Sequence, residues 1–162
     1  MEELHEEGKI RAIGVSNYSA RHLQELLKTC RIKPMVLQVE FHPRLVQKEL
    51  LELCKKEGIA LQAYASLGSG DVKSPELRED FFAMPPVKAA AAKHGVTSAQ
   101  VLLRWALEKG CLVVPKSSRE ERMVENSDLF SFRLSAAEVA AIDGLHLNKR
   151  FAWKGVDPDT IV

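Results

Sequence analysis

The period of the apolar positions changes along the chain. Ile10 to Ser16 (IRAIGVS), Met35 to Phe41 (MVLQVEF), Ile59 to Ala65 (IALQAYA) and Cys111 to Pro115 (CLVVP) are short aliphatic-rich runs. Each is bounded by glycine, proline or polar residues, and each reads as a strand. Between them the spacing lengthens to that of a helix. After Ser19, Leu23, Leu26, Leu27 and Cys30 form one stripe that predicts a helix to about Thr29. Lys48 to Lys56 places Leu50, Leu51 and Cys54 inward and stops at Gly58. Val87 to His94 stops at Gly95. A further helix starts at Thr97, with Gln100 in capping-box position, and carries Val101, Leu102, Trp105 and Ala106 as far as Gly110. Ser117 and Ser118 precede Glu120 and Glu121 by three residues, a double start signal, and Ser135 with Glu138 starts a last helix that ends near Gly144. Met1 to Glu7 reads as the final turns of a helix closed by Gly8. The stretch from Leu67 to Pro86 reads as a long polar loop, and the tail from Leu145 to Val162 has no clear period.

Strand and helix therefore alternate four times, with one extra helix before the fourth strand. This order predicts an α/β fold with a parallel sheet and right-handed crossovers. Four such units fit a small open sheet or half of an eight-stranded barrel. In both, ligands bind at the carboxyl ends of the strands.

Composition narrows the setting. The 162 residues, 46% hydrophobic and 28% charged, describe one globular domain over 1–162. A net charge of +1 gives no reason to expect a nucleic-acid or membrane partner. No run is apolar enough to span a bilayer, and MEELHEEGKI is unlike a signal peptide. Cys30, Cys54 and Cys111 are odd in number and widely spaced, as expected of free thiols in a reducing compartment. The expected location is cytoplasmic.

The strand ends carry the candidate chemistry. The first ends in Ser16-Asn17, the second holds Gln38 with His42 just beyond, the third ends in Tyr64 followed by Leu67 and Ser69, and the fourth runs into Lys116-Ser117. Arg122 and Asn126 share one face of the next helix. An ammonium, a guanidinium, hydroxyls and the amides of a helix start suit an anion such as a phosphate monoester. The same stretch also fits a capped helix with ordinary surface charges. Ser16-Asn17 alone fits turn chemistry, and Tyr64 alone fits a core tyrosine. Gln38 in an apolar strand needs buried partners. His42 beside Pro43 reads as a turn residue, and His5, His22, His94 and His146 as surface positions. Trp105 and Trp153 read as packing residues, and Arg78-Glu79-Asp80 as a solvated face. Three neutral ends and one cationic end suit a nucleotide better than a metal.

GVSN at Gly14 to Asn17, QVEFHP at Gln38 to Pro43, AYASLGSG at Ala63 to Gly70, VVPKS at Val113 to Ser117 and the later Arg122, Glu125 and Asn126 together resemble the second half of an aldo-keto reductase. The resemblance covers nearly the whole chain. It implies strands five to eight of a TIM-type (β/α)8 barrel and an NADPH-dependent carbonyl oxidoreductase. By position, Ser16, Asn17 and Gln38 resemble the groups that hold the nicotinamide carboxamide, and Tyr64 the ring that stacks on nicotinamide. Leu67 and Ser69 resemble the pyrophosphate contacts. Lys116, Ser117 and Arg122 resemble the clamp on the 2′-phosphate of NADP(H), and Glu125 and Asn126 the adenine contacts. Ala65 stands where many members have serine. The family's tetrad of aspartate, tyrosine, lysine and histidine lies on the other half. Tyr18 and Tyr64 are the two tyrosines here, and neither sits in a matching motif. The resemblance thus implies a truncated product, with a small carbonyl compound as substrate of the complete barrel. Different in kind are a non-catalytic half-barrel that self-associates through open sheet edges, and a small open flavodoxin-like sheet that binds a nucleotide.

Overall fold

The computed structural model describes residues 1–68 and 79–161. Ser69 and Arg78 fall outside these residues, as does the side chain of Trp153. Strands β1 (Gly14–Ser16), β2 (Val36–Glu40), β3 (Ala60–Tyr64) and β4 (Leu112–Val113) form one open sheet in the order β1-β2-β3-β4, every pair parallel. The helices are α1 (Glu2–Glu6), α2 (Ala20–Thr29), α3 (Lys48–Glu57), α4 (Pro85–His94), α5 (Ser98–Glu108), α6 (Glu120–Ser127) and α7 (Ala136–Asp143). Each expected strand and helix is present, and the boundaries move for identifiable reasons. The first strand is shorter than its apolar run because the Ile10 amide is bonded to Leu4 O, which closes α1. The fourth stops before Pro115, which has no amide proton to give a ladder.

Alternate strand residues face the helices and make the core. Leu37, Val39, Leu61 and Ala63 are at most 2% exposed. Phe41 stacks on Trp105 of α5 at 5.0 Å between centroids, and the Trp105 indole donates to Asp143 of α7 at 2.8 Å. Gly14 lets the first two strands approach. A Cβ there would stand 2.5 Å from Val36 O, too close for any side chain.

The capping boxes at Thr97–Gln100 and Ser135–Glu138 form as expected. Those at Ser117–Glu120 and Ser118–Glu121 do not. Arg119 is the N-cap of α6, and Ser117 Oγ instead accepts its amide at 3.1 Å, a local turn that competes with the cap. In register, Ser16, Gln38, Gln62 and Leu112 form one row on the sheet face away from the helices, and the first three of them are polar.

The tail is not irregular packing. Residues 145–152 run back along the turn after β2, where Arg44 O accepts the amides of Leu147 and Lys149, and the Arg44 guanidinium donates to Leu145 O. Short 3-10 turns follow at Ala152–Gly155 and Pro158–Thr160, and Asp159 accepts from Ser19 at the start of α2. Glu79 is not part of a solvated face. It is half-buried and accepts from Arg44 Nε at 2.8 Å.

Candidate functional site along the strand ends

The strand ends carry two groups of residues. In the first, β1 and β3 leave the sheet through left-handed residues, Asn17 (φ 59°) and Ala65 (φ 54°). Such a conformation is uncommon outside glycine and is tolerated better by asparagine than by alanine. The turn at Ala65 sets Tyr64 beside Asn17, and the Tyr64 hydroxyl donates to Asn17 Oδ1 at 2.8 Å. Burial first, and then the charge of Glu40, pushes the Tyr64 phenol up to about 12 against an opposing pull from Arg150. Ser16 Oγ donates to Gln38 O at 3.1 Å. Gln38 Nε2 donates to Gln62 Oε1 at 2.5 Å. Each amide is thereby half-occupied: Asn17 keeps its Nδ2 donor, and Gln38 keeps its Oε1 acceptor.

Gln62 was not singled out from the sequence. The available signal was its place in β3, where LQAY repeats the VLQVE pattern of β2 at the matching register position.

The second group gathers in a cleft of about 370 Å³ between β4, α5 and α6, where Leu67, Lys116, Ser117, Arg122, Glu125 and Asn126 all reach the wall. The start of α5 opens into it: Thr97 and Ser98 line it as well. The Glu125 carboxylate accepts from Thr97 Oγ1 at 2.7 Å. The exposed Lys116 and Arg122 line the same cleft. Of the sequence-derived site residues, all but Ser69 fall in one of these two groups, and Ser69 lies outside the described residues.

His42 sits in a turn as expected, bridged to Leu45, and is in addition fully buried between Phe81 and Phe151. Its Nε2 lies 3.0 Å from Glu40 Oε1, and the same oxygen accepts the amides of Phe151 at 2.7 Å and Ala152 at 2.9 Å. Burial works to raise the Glu40 carboxyl, yet the bonds from His42 and from these amides outweigh it and hold the group below its ordinary value. This cluster pins the tail over the end of β2, next to Tyr64 and Asn17. His94 is likewise half-buried and contacts Glu138 at 3.1 Å.

The three cysteines are free thiols, and burial pushes Cys54 up to about 11 and Cys111 up to about 12. Among the described residues there is no cluster of metal-ligating side chains, and no helix is long and apolar enough to cross a membrane.

Fold and site together define a parallel α/β protein whose polar groups collect at the carboxyl ends of its strands, the ligand-binding side of such sheets. The chain belongs to the aldo/keto reductase family, whose model matches residues 1–146. It is 46% identical over 162 residues to a glyoxal reductase of Bacillus subtilis, covering 100% of this chain and 54% of that protein. It is 40% identical to an NADPH-dependent D-xylose reductase of Candida boidinii, covering 93% of this chain and 49% of the relative. A crystal structure of an aldo-keto reductase from a deep-sea metagenome superposes with a TM-score of 0.84 at 40% identity, over 92% of this chain and 53% of that one. The chain spans about half the length of the curated relatives it matches.

Proposed function

We propose that this chain carries the NADP(H)-binding part of a cytosolic carbonyl reductase, corresponding to strands five to eight of the barrel. The observation that carries this reading is the cleft in which Lys116, Ser117 and Arg122 meet the start of α5, at the same strand ends as the Asn17 and Gln38 amides. The printed name of the Candida relative supports the choice of cofactor.

The residues fit such a cofactor by their free valences. A carboxamide offers one acceptor and one donor, and the rim offers the Asn17 donor and the Gln38 acceptor, each held by a neighbour. When bound, the nicotinamide supplies or accepts hydride. The Tyr64 ring gives it a flat wall. Lys116 and Arg122 supply charge-assisted bonds to a phosphate monoester. A proton donor for the carbonyl oxygen is a separate requirement. The Tyr64 hydroxyl does not meet it, being committed to Asn17 and shifted to about 12. The chain on its own therefore binds cofactor without reducing aldehydes, and the complete barrel transfers hydride between NADP(H) and an aldehyde or ketone.

Fluorescence titration tests this. NADPH binds the chain more tightly than NADH, and Arg122→Ala removes most of that preference, because a well-formed charge-assisted bond contributes about 1.5–3 kcal/mol. Equal affinity for the two dinucleotides before and after the substitution would sink the clamp. Robust aldehyde turnover by the purified chain would sink the assignment of the donor elsewhere.

A further inference from the structure

The tail meets the strand ends at two feet. One is the Glu40 cluster, where the amides of Phe151 and Ala152 are held. The other is at the start of α2. There the Asp159 carboxylate accepts from the buried Ser19 hydroxyl, and the Asp159 carbonyl accepts from Arg21 Nη2 at 3.3 Å. The turn that presents Asp159 is fixed from within. The Asp157 carboxylate accepts the Asp159 amide at 3.1 Å and Arg150 Nη2 at 3.3 Å, and the Thr160 hydroxyl donates to Asp157 O at 2.7 Å. Between the feet the tail roofs a cavity of about 10 Å³, room for one water molecule, with Asn17, Tyr64, Glu40, Gln47 and Arg150 in its walls.

Ser19 connects this foot to the candidate site. It is the N-cap of α2, its oxygen accepts the His22 amide at 3.3 Å, and it follows Asn17 by two residues. Asn17 is left-handed, and a residue in that region stays there only where its surroundings over-determine it. Three restraints do so. The Asn17 amide donates to Gln38 O at 2.9 Å, its Oδ1 accepts the Tyr64 hydroxyl at 2.8 Å, and the turn that follows ends on Ser19. The first two belong to the sheet and the third is anchored by the tail. A hydroxyl that donates to a carboxylate is also a stronger acceptor, so Asp159 reinforces the α2 cap. The ion pair of Asp159 with Arg21, 3.5 Å long and half exposed on both sides, adds little.

We infer that Asp159 is a positioning residue: through Ser19 it holds the Asn17 turn in the geometry that receives the nicotinamide carboxamide. The inference rests on the cofactor reading above and concerns only the nicotinamide end. The cleft of Lys116 and Arg122 has neither Ser19 nor Asp159 in its wall.

Two measurements on the full chain test it. Hydrogen exchange reads the Asn17 amide. Titration compares NADPH with adenosine 2′,5′-bisphosphate, which lacks the nicotinamide. Asp159→Ala speeds Asn17 exchange at an unchanged near-UV signal. It raises the dissociation constant of NADPH roughly 3–10-fold, the effect of a competent turn populated only about 10–30% of the time. The bisphosphate keeps its affinity. Asp159→Asn, which retains an acceptor for Ser19, restores most of both losses. Unchanged Asn17 exchange in the alanine variant overturns the inference, as does an equal loss for the two ligands or a loss that asparagine does not restore. If the unaltered chain binds both ligands and Asp159→Ala alters neither affinity, this inference alone fails. If it binds neither, the cofactor reading fails and this inference with it.

Discussion

Glu40 is the position at which a small change is expected to do the most damage. Three donors converge on its Oε1: His42 at 3.0 Å, Phe151 at 2.7 Å and Ala152 at 2.9 Å. Glu40→Gln keeps an oxygen for them and removes the charge. A hydrogen bond to a charged group is worth about 1 kcal/mol more than a neutral one, so the three together cost about 3 kcal/mol. In a chain of this size that lowers the melting temperature by about 6–12 °C, with the tail still docked. Glu40→Ala is different in kind. It leaves three donors without an acceptor at about 1–3 kcal/mol each, a total of about 3–9 kcal/mol that rivals the whole stability of a domain. The cheaper escape is for the tail to lift and hydrate its amides. Thermal melts at fixed chain concentration, with limited proteolysis mapped by mass spectrometry, read both effects. Cleavage within 145–161 should become fast in the alanine variant and stay slow in the glutamine one. Melting and cleavage unchanged in both variants would show that the cluster does not hold the tail.

Acid should release the same cluster. The folded Glu40 carboxyl lies below its ordinary value of 4.5, so its contribution is complete above that pH and is lost as the pH falls through the lower folded value. Tail protection at falling pH checks this, and Glu40→Gln should flatten that part of the profile. Glu138, held at about 2 first by the Ser135 amide and then by Lys93 and the Ser135 hydroxyl, adds an acid loss that persists in the variant. Gly14→Ala places a methyl against Val36 O and should cost about 1–3 kcal/mol, seen as a lower urea midpoint at unchanged slope. An unchanged midpoint would mean that β1 shifts freely. Gln62→Leu frees the Gln38 amide to turn, and should weaken NADPH and NADH alike by roughly 2–10-fold, one neutral hydrogen bond's worth. A loss confined to NADPH would place Gln62 in the wrong group.

The sequence disclosed the architecture well because period and punctuation agreed. The stripe of Leu23 and its neighbours, the glycines after α3 and α4, and the boxes at Thr97 and Ser135 are local signals that local chemistry obeys. The misses lie where distant residues decide. Nothing within a few residues of His42 says that Phe81 and Phe151 will enclose it, and nothing near Glu40 announces two amides from the tail. The start of α6 failed for a local reason, since Ser117 had a second use for its hydroxyl. At the strand ends, the residues named from the motifs fall in two groups, but Gln62 could be found only from the register between two strands.

The pinned tail also sets an order of events during synthesis. The Phe151 amide that Glu40 needs lies 111 residues further along the chain. At a translation rate of about 5–20 residues per second, the end of β2 waits about 5–20 s for it. During that interval the Glu40 carboxylate has His42 beside it but lacks the two amides of the tail. The rim where the ligand groups gather thus tightens only after Phe151 and Ala152 have been made.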